Sequence, residues 1–236
     1  MGEISAVWQG LDWFVLVGML LSVIPILICI TIHELAHGLA AYALGDDTAK
    51  RMGRLTLNPL RHIDPIGFIM LLFVRFGWAK PVPVNMLNFK RPKFGMAITA
   101  LAGPLSNFLL AALILLFQEP LGLPLNPLHL QAAGPAIYLA WILETTAVIS
   151  IFLGLFNLLP IPPLDGSKIL FSVLRDTRYH WLMRYEHYGM FLLFGIIFFG
   201  GFIIQGGVMG PLWTVMDRVY QWIANITAGP SQFLFS

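Results

Sequence analysis

Between Trp13 and Leu44 the chain carries a single charged side chain, Glu34, and sets it between two histidines in the stretch ITIHELAHGLA. A run this apolar exceeds the roughly 20 residues that take a helix across about 30 Å of hydrocarbon. Ionisable groups are costly inside such a helix, so His33, Glu34 and His37 on adjacent turns need a compensating purpose. Further runs with little or no charge follow at Ile66–Val74, Phe94–Gln118, Gly134–Pro163 and His187–Val208. With 58% hydrophobic residues, 11% charged residues and a mean hydropathy of +0.78, the chain holds more apolar side chain than a soluble core uses. These features predict an all-α integral membrane protein with about four transmembrane helices.

Ile66–Val74 is too short to cross as a helix, which predicts a re-entrant or β-strand membrane-associated element in this part of the chain. The following GWAKPVPVNMLNFKRPK alternates Val with Pro and reads as an extended edge strand. Such a strand can pair with an extended peptide, making Lys80, Val82, Val84 and Asn85 candidate substrate contacts. If Ile66–Phe76 does not cross and the four longer runs do, every one of the 14 Lys and Arg residues except Arg218 falls on one side. The positive-inside rule makes that side cytoplasmic and puts both termini outside. The N-terminus carries Glu3 and Asp12 and no basic residue before the first run, unlike a cleaved signal peptide, so that run is expected to stay.

The tail GPLWTVMDRVYQWIAN spaces Leu212, Val215, Met216, Val219 and Ile223 as one helical face. It reads either as an amphipathic helix on the outer surface, anchored by Trp213, Tyr220 and Trp222, or as a helix packed on the spans. The chain is one membrane-embedded domain, 1–236, with a core at about 13–175 and a C-terminal span and helix at about 187–225. Its single cysteine, Cys29, excludes an internal disulfide, and a net charge of +2 gives no reason to expect nucleic acid as a partner. No internal repeat is present.

His33 and His37, four residues apart, share a helix face at about 6 Å and can together hold one Zn²⁺. Glu34 then lies beside the metal, where it can take a proton from a hydrolytic water and return it to a leaving amine. The alternative is a pair of buried histidines bonded to backbone, which leaves the cost of the clustered ionisable groups uncompensated. His37 is seven residues from Leu44, so a metal there lies roughly 10 Å inside the cytoplasmic end of the helix, within reach of a substrate that is itself in the membrane.

The stretch FNLLPIPPLDGSKIL breaks one helix with prolines and starts another. Asp165 reads either as the cap of the new helix or as a carboxylate returned to the level of His33 and His37, completing a three-ligand zinc site. Asn157 can satisfy carbonyls exposed by the break.

HELAH, AGPLSN at Ala102–Asn107 and NLLPIPPLDG at Asn157–Gly166 resemble the site-2 protease family of intramembrane zinc metalloproteases. GRLTLNPLRHIDPIG (Gly53–Gly67) and GWAKPVPVN (Gly77–Asn85) are similar to its short members, which lack PDZ and CBS domains. The resemblance covers about residues 15 to 175. It implies a three-helix catalytic core of Trp13–Leu44, Phe94–Gln118 and Gly134–Pro163. It also implies His33, His37 and Asp165 as ligands of one Zn²⁺, Glu34 as base and Asn157 near the substrate carbonyl. Asn107 is either a substrate contact or a helix-packing amide. Glu144 matches no motif of the family, and either faces a water-filled cavity or pairs with a neighbouring helix. His62, His129, His180 and His187 read as interface histidines. Gly195, Gly200, Gly201, Gly206 and Gly207 read as close helix packing or as a mobile gate.

The expected protein is therefore a zinc-dependent endopeptidase of a prokaryotic cell (inner) membrane, with its active site toward the cytoplasm. Its partners are the lipid bilayer and a transmembrane substrate, single-span or signal-peptide-like. A membrane metal transporter would spread ionisable groups along several spans, usually with an inverted repeat. A non-proteolytic scaffold of the same fold would have no need of Glu34.

Overall fold

The computed structural model describes residues 13–74, 77–118, 135–174, 188, 189, 191, 193, 195 and 209–234. Its first helix, α1 (Trp13–Ala43), is largely apolar apart from His33, Glu34 and His37, as suits a helix surrounded by other helices and lipid. Chain reversal after α1 brings Asp46, fully buried, under the one-turn helix Thr48–Arg51. Asp64 then starts α2 (Pro65–Val74), its carboxylate accepting from the backbone of Ile66 at 3.0 Å and Gly67 at 2.9 Å. The chain comes back beside the start of α2. Ile63 pairs with Ala79 in an isolated antiparallel bridge, and the Lys80 N–H donates to the His62 carbonyl at 2.9 Å.

The expected strand over Lys80–Asn85 is not formed, and the described residues contain no sheet. Pro81 and Pro83 have no N–H to give a ladder, while the N–H groups of Lys80, Val82 and Asn85 bond to His62, Glu34 and Asp46 respectively. The segment is extended, but three of its four backbone donors, those of Lys80, Val82 and Asn85, are spent within the protein. The short apolar run is a helix, α2, whose flanking segments pair through Ile63 and Ala79.

α3 (Pro92–Gln118) is the central helix and packs against α1, α4 (Pro135–Asn157), α5 (Asp165–Ser172) and α6 (Met209–Leu234). Its buried stripe falls on every fourth residue, with Gly95, Thr99, Gly103, Asn107 and Ala111 all small or compact. Small residues at that spacing let helix backbones approach closely, where lipid gives no hydrophobic drive between helices. Val23–Ala43, Pro92–Gln118 and Tyr138–Asn157 are the described stretches long and apolar enough to cross a membrane. The expected fourth span, His187–Val208, lies outside the described residues apart from isolated positions.

The C-terminal helix packs on the spans. Met216 and Ile223 of α6 join Ala111 and Leu115 of α3 and Ala147 and Ile151 of α4 in one buried cluster. Trp213 stacks on Phe152, their ring centroids 4.9 Å apart, and the Tyr220 hydroxyl donates to Glu144. Moving forward along α6 is moving back along α4, so the two are antiparallel. Gln118 Nε2 also reaches Glu144, at 3.4 Å. Glu144 thus pairs with neighbouring helices and ties α3, α4 and α6 together.

Candidate metal centre

α1 presents His33 and His37 toward α3, both buried. The packing there requires a residue with no side chain, because a Cβ on Gly103 would collide with both imidazole rings. Gly103 thus sets how closely α3 covers the histidine face. One turn earlier, the Thr99 carbonyl lies 2.7 Å from His37 Nδ1. A carbonyl can only accept, so Nδ1 carries the proton and Nε2 is left with its lone pair.

Asp165 arrives from the other side. α4 ends at Asn157, the Pro160–Pro163 turn follows, and α5 begins at Asp165 itself with Leu164 as its N-cap. Leu164 rather than Asp165 occupies the N-cap position, and the Asp165 carboxylate is directed at the two imidazoles. Gly166 makes the return possible, since a Cβ there would run into the carbonyls of Leu158 and Leu159. Asp165 Oδ2 lies 3.1 Å from His33 Nε2 and 3.1 Å from His37 Nε2, and the two nitrogens are 3.0 Å apart. Burial pushes the Asp165 carboxyl up, but bonding to the two imidazoles outweighs it and holds the group well below the usual carboxylate range.

This triangle fits a metal better than it fits protons. A proton on His33 Nε2 bridges one contact and leaves lone pairs facing each other across the rest, whereas a divalent cation meets all three. Tetrahedral zinc with bonds of about 2.0–2.1 Å sets its ligand atoms roughly 3.3 Å apart, a few tenths of an ångström wider than the observed edges. His33, His37 and Asp165 are the one group of this kind among the described residues. His33 Nδ1 is buried without a partner, so only His37 has an orienting hydrogen bond behind it.

Around the triangle, Glu34 is half-buried and its Oε2 accepts from the Val82 N–H at 2.7 Å. Asn157 Nδ2 donates to the Leu153 carbonyl of its own helix at 2.9 Å. Asn107 lies one turn beyond Gly103, fully buried, with neither amide atom partnered, while its backbone carbonyl accepts from Ser150 Oγ at 3.0 Å. Lys168 Nζ stands 3.8 Å from Asp165 Oδ1. His62 is buried away from the triangle, its Nε2 2.9 Å from the Thr56 carbonyl. Gly103 and the Thr99 carbonyl were not identifiable from motif spacing. The AGPLSN stretch holding Gly103 was the only hint of the first, and a backbone carbonyl gives none.

The profile of peptidase family M50 matches residues 119–200, the part that contains Asp165 but not the histidines. A Bacillus subtilis protein provisionally named zinc metalloprotease YwhC is 40% identical over 180 residues, covering 75% of this chain and 78% of its own length. The chain belongs to the site-2-type M50 zinc metalloproteases. Rip2 of Mycobacterium tuberculosis, also provisionally named a zinc metalloprotease, is 29% identical over 195 residues, covering 81% of this chain and 71% of its own. A zinc metalloprotease of Methanocaldococcus jannaschii is 24% identical over 159 residues but matches only 35% of its own length. No solved structure is significantly similar. For an M50 metalloprotease, the buried His33, His37 and Asp165 form a site able to coordinate one Zn²⁺.

Proposed function

We propose that this M50 metalloprotease hydrolyses a peptide bond within or near a transmembrane segment of another membrane protein. The observation that carries the proposal is the convergence of two imidazole nitrogens and a carboxylate oxygen, 3.0–3.1 Å apart, beside a helix apolar enough to cross a membrane. Zn²⁺ bound there supplies Lewis-acid polarisation of the scissile carbonyl and a water of lowered pKa.

The chain's own residues do the rest. Glu34 is the base: Val82 holds its Oε2, leaving Oε1 to take the proton from the attacking water and pass it to the leaving nitrogen. Asn157 gives one amide hydrogen to Leu153 and has a second for the developing oxyanion. A helical substrate must unwind first, since its backbone is bonded to itself. Lys80, Val82, Val84 and Asn85 then flank it as an extended wall, with the carbonyls of the segment as acceptors. The basic residues favour a site facing the cytoplasm, and the bacterial and archaeal relatives favour a prokaryotic membrane.

Co-expression with single-span membrane proteins tests this reading. Wild type yields a cleavage product and Glu34→Gln yields none, while metal analysis finds equal zinc in both, because the amide keeps its shape but accepts no proton. A product in both strains removes the protease reading. If Glu34→Gln loses zinc as completely as His33→Ala, Glu34 is a ligand instead.

A further inference from the structure

A second region of the surface carries charge that the metal site does not use. Where α1 ends and α3 begins there is a cavity of about 450 Å³. Ala43 and Pro92 are the ends of two membrane-spanning stretches, so the cavity sits at the membrane surface, on the side that the basic residues favour as cytoplasmic. Its volume is in the range of sites that hold small molecules, roughly 300–1,000 Å³. Ala43 and Leu44 line it from α1 and Phe94 from α3. Its buried part is Phe89, packed so closely on Gly95 that an added Cβ there would collide with the ring. Lys90 and Arg91 also line it, and both are exposed.

Neither side-chain cation meets a carboxylate or other acceptor among the described residues. The carboxylates that follow Gly45 are already engaged, Asp46 by Thr48, Asn85 and Asn88, and Asp47 by Arg51. An apolar cavity bearing two unmatched positive charges complements an anion joined to something apolar. α3 supplies the other half of that match. Phe94, Leu101 and Leu105 are all exposed and, at spacings of seven and four, share one face of the helix. That face is turned away from the buried stripe of Gly95, Thr99 and Gly103. From Phe94 to Leu105 is about 16 Å along the axis, close to half of the roughly 30 Å of hydrocarbon, which is one leaflet. A free anion would use the cations alone and leave this apolar track bare.

We propose that this cavity binds an anionic phospholipid, its headgroup phosphate held by Lys90 and Arg91 and an acyl chain lying along Phe94, Leu101 and Leu105. A lipid bound there ties the end of α1 to the start of α3. These are the two helices that hold His37 against the Thr99 carbonyl, so the lipid steadies the frame of the metal centre from outside it. The assignment needs the membrane location and not the hydrolytic reading.

The test takes the full chain in dodecylmaltoside micelles and titrates it with dioleoyl-phosphatidylglycerol or dioleoyl-phosphatidylcholine, reading bound lipid by native mass spectrometry. Phosphatidylglycerol should bind about tenfold tighter or more, at roughly fivefold per cation. Lys90→Gln with Arg91→Gln should remove that preference. Arg51→Gln with Arg61→Gln, exposed basic residues outside the cavity, should keep it. Ala43→Trp leaves both cations in place but fills the cavity, and should weaken phosphatidylglycerol binding about fivefold or more. Equal binding of the two lipids, equal loss in the two double variants, or unchanged binding in Ala43→Trp overturns the proposal. Displacement of phosphatidylglycerol by inorganic phosphate at matching concentration overturns it too, and assigns the cavity to a free anion. Zinc bound by each variant, expected to equal wild type, reports that the fold is intact. Should Ala43→Trp lose zinc, the two double variants, all four of their side chains exposed, still decide.

Discussion

At the scale of single residues, Asp165 separates two meanings that the dipeptide Asp-Gly carries equally well. Its carboxylate lies against two imidazoles, while the N-cap position of α5 belongs to Leu164. Asp165→Asn should therefore leave the metal-free fold within about 1 kcal/mol of wild type. Zinc affinity should drop at least about 100-fold, since an anionic ligand is lost where even orienting partners cost 10- to 100-fold. Metal titration and thermal unfolding check the two halves, and near-normal zinc binding would send the search to another carboxylate. Gly103→Ala makes the converse case, because the added methyl meets both histidine rings. It should lower zinc occupancy and cost about 1–3 kcal/mol, as overpacking does; unaltered occupancy would mean that α3 can shift aside. The histidine pair was legible because a four-residue spacing fixes a shared face. Gly103 and Thr99 were not, because they belong to the contact between α1 and α3, and no spacing within one helix encodes it.

At the scale of elements, the segment from Ala79 to Asn88 is fixed over α1 by side chains distant in sequence. Asp46 accepts from Asn85 N at 2.6 Å, Asn88 Nδ2 at 2.7 Å and Thr48 N at 3.1 Å, and Arg54 donates to the Lys80 carbonyl at 2.6 Å. Alternating Val and Pro did announce extended backbone. They could not announce that the Val82 and Asn85 donors were already taken, because Glu34 and Asp46 lie 48 and 39 residues upstream. Burial works to raise the Asp46 carboxyl, but the hydrogen bonds from Thr48, Asn85 and Asn88 outweigh it and hold it below its ordinary value. A group whose folded pKa is depressed stabilises fully above its unfolded value, about 3.9, and loses that contribution as pH falls toward the lower folded value. Asp46→Asn should thus be less stable than wild type at neutral pH, by about 1–3 kcal/mol. The gap should close on acidification below about pH 4. Thermal unfolding of both proteins between neutral pH and about pH 2.5 reads it, and a gap that stays constant would show that the carboxylate's charge is not what holds the segment.

At the scale of the whole molecule, α2 decides the threading. Its 10 residues span about 15 Å, half of the roughly 30 Å that hydrocarbon requires. The chain also closes on itself at the base, through the Ile63–Ala79 bridge and the bond from Lys80 to His62. A segment whose two ends pair cannot have delivered them to opposite faces of a membrane. α1 and α4 both end at the metal side, and α3 starts there. α6 begins near Phe152 and runs back along α4, away from that side. Charge counting anticipated the alternation of α1, α3 and α4, while the direction of α6 depended on which apolar face it shares with α3 and α4. Cysteines placed at Arg51 and Arg91 should therefore label from one face of sealed membranes, and one at Ser231 from the other. The native Cys29, fully buried, contributes no background. Opposite accessibility at positions 51 and 91 would mean that α2 crosses after all. The helix carrying His33 and the turn carrying Asp165 would then need a different arrangement to meet at one metal.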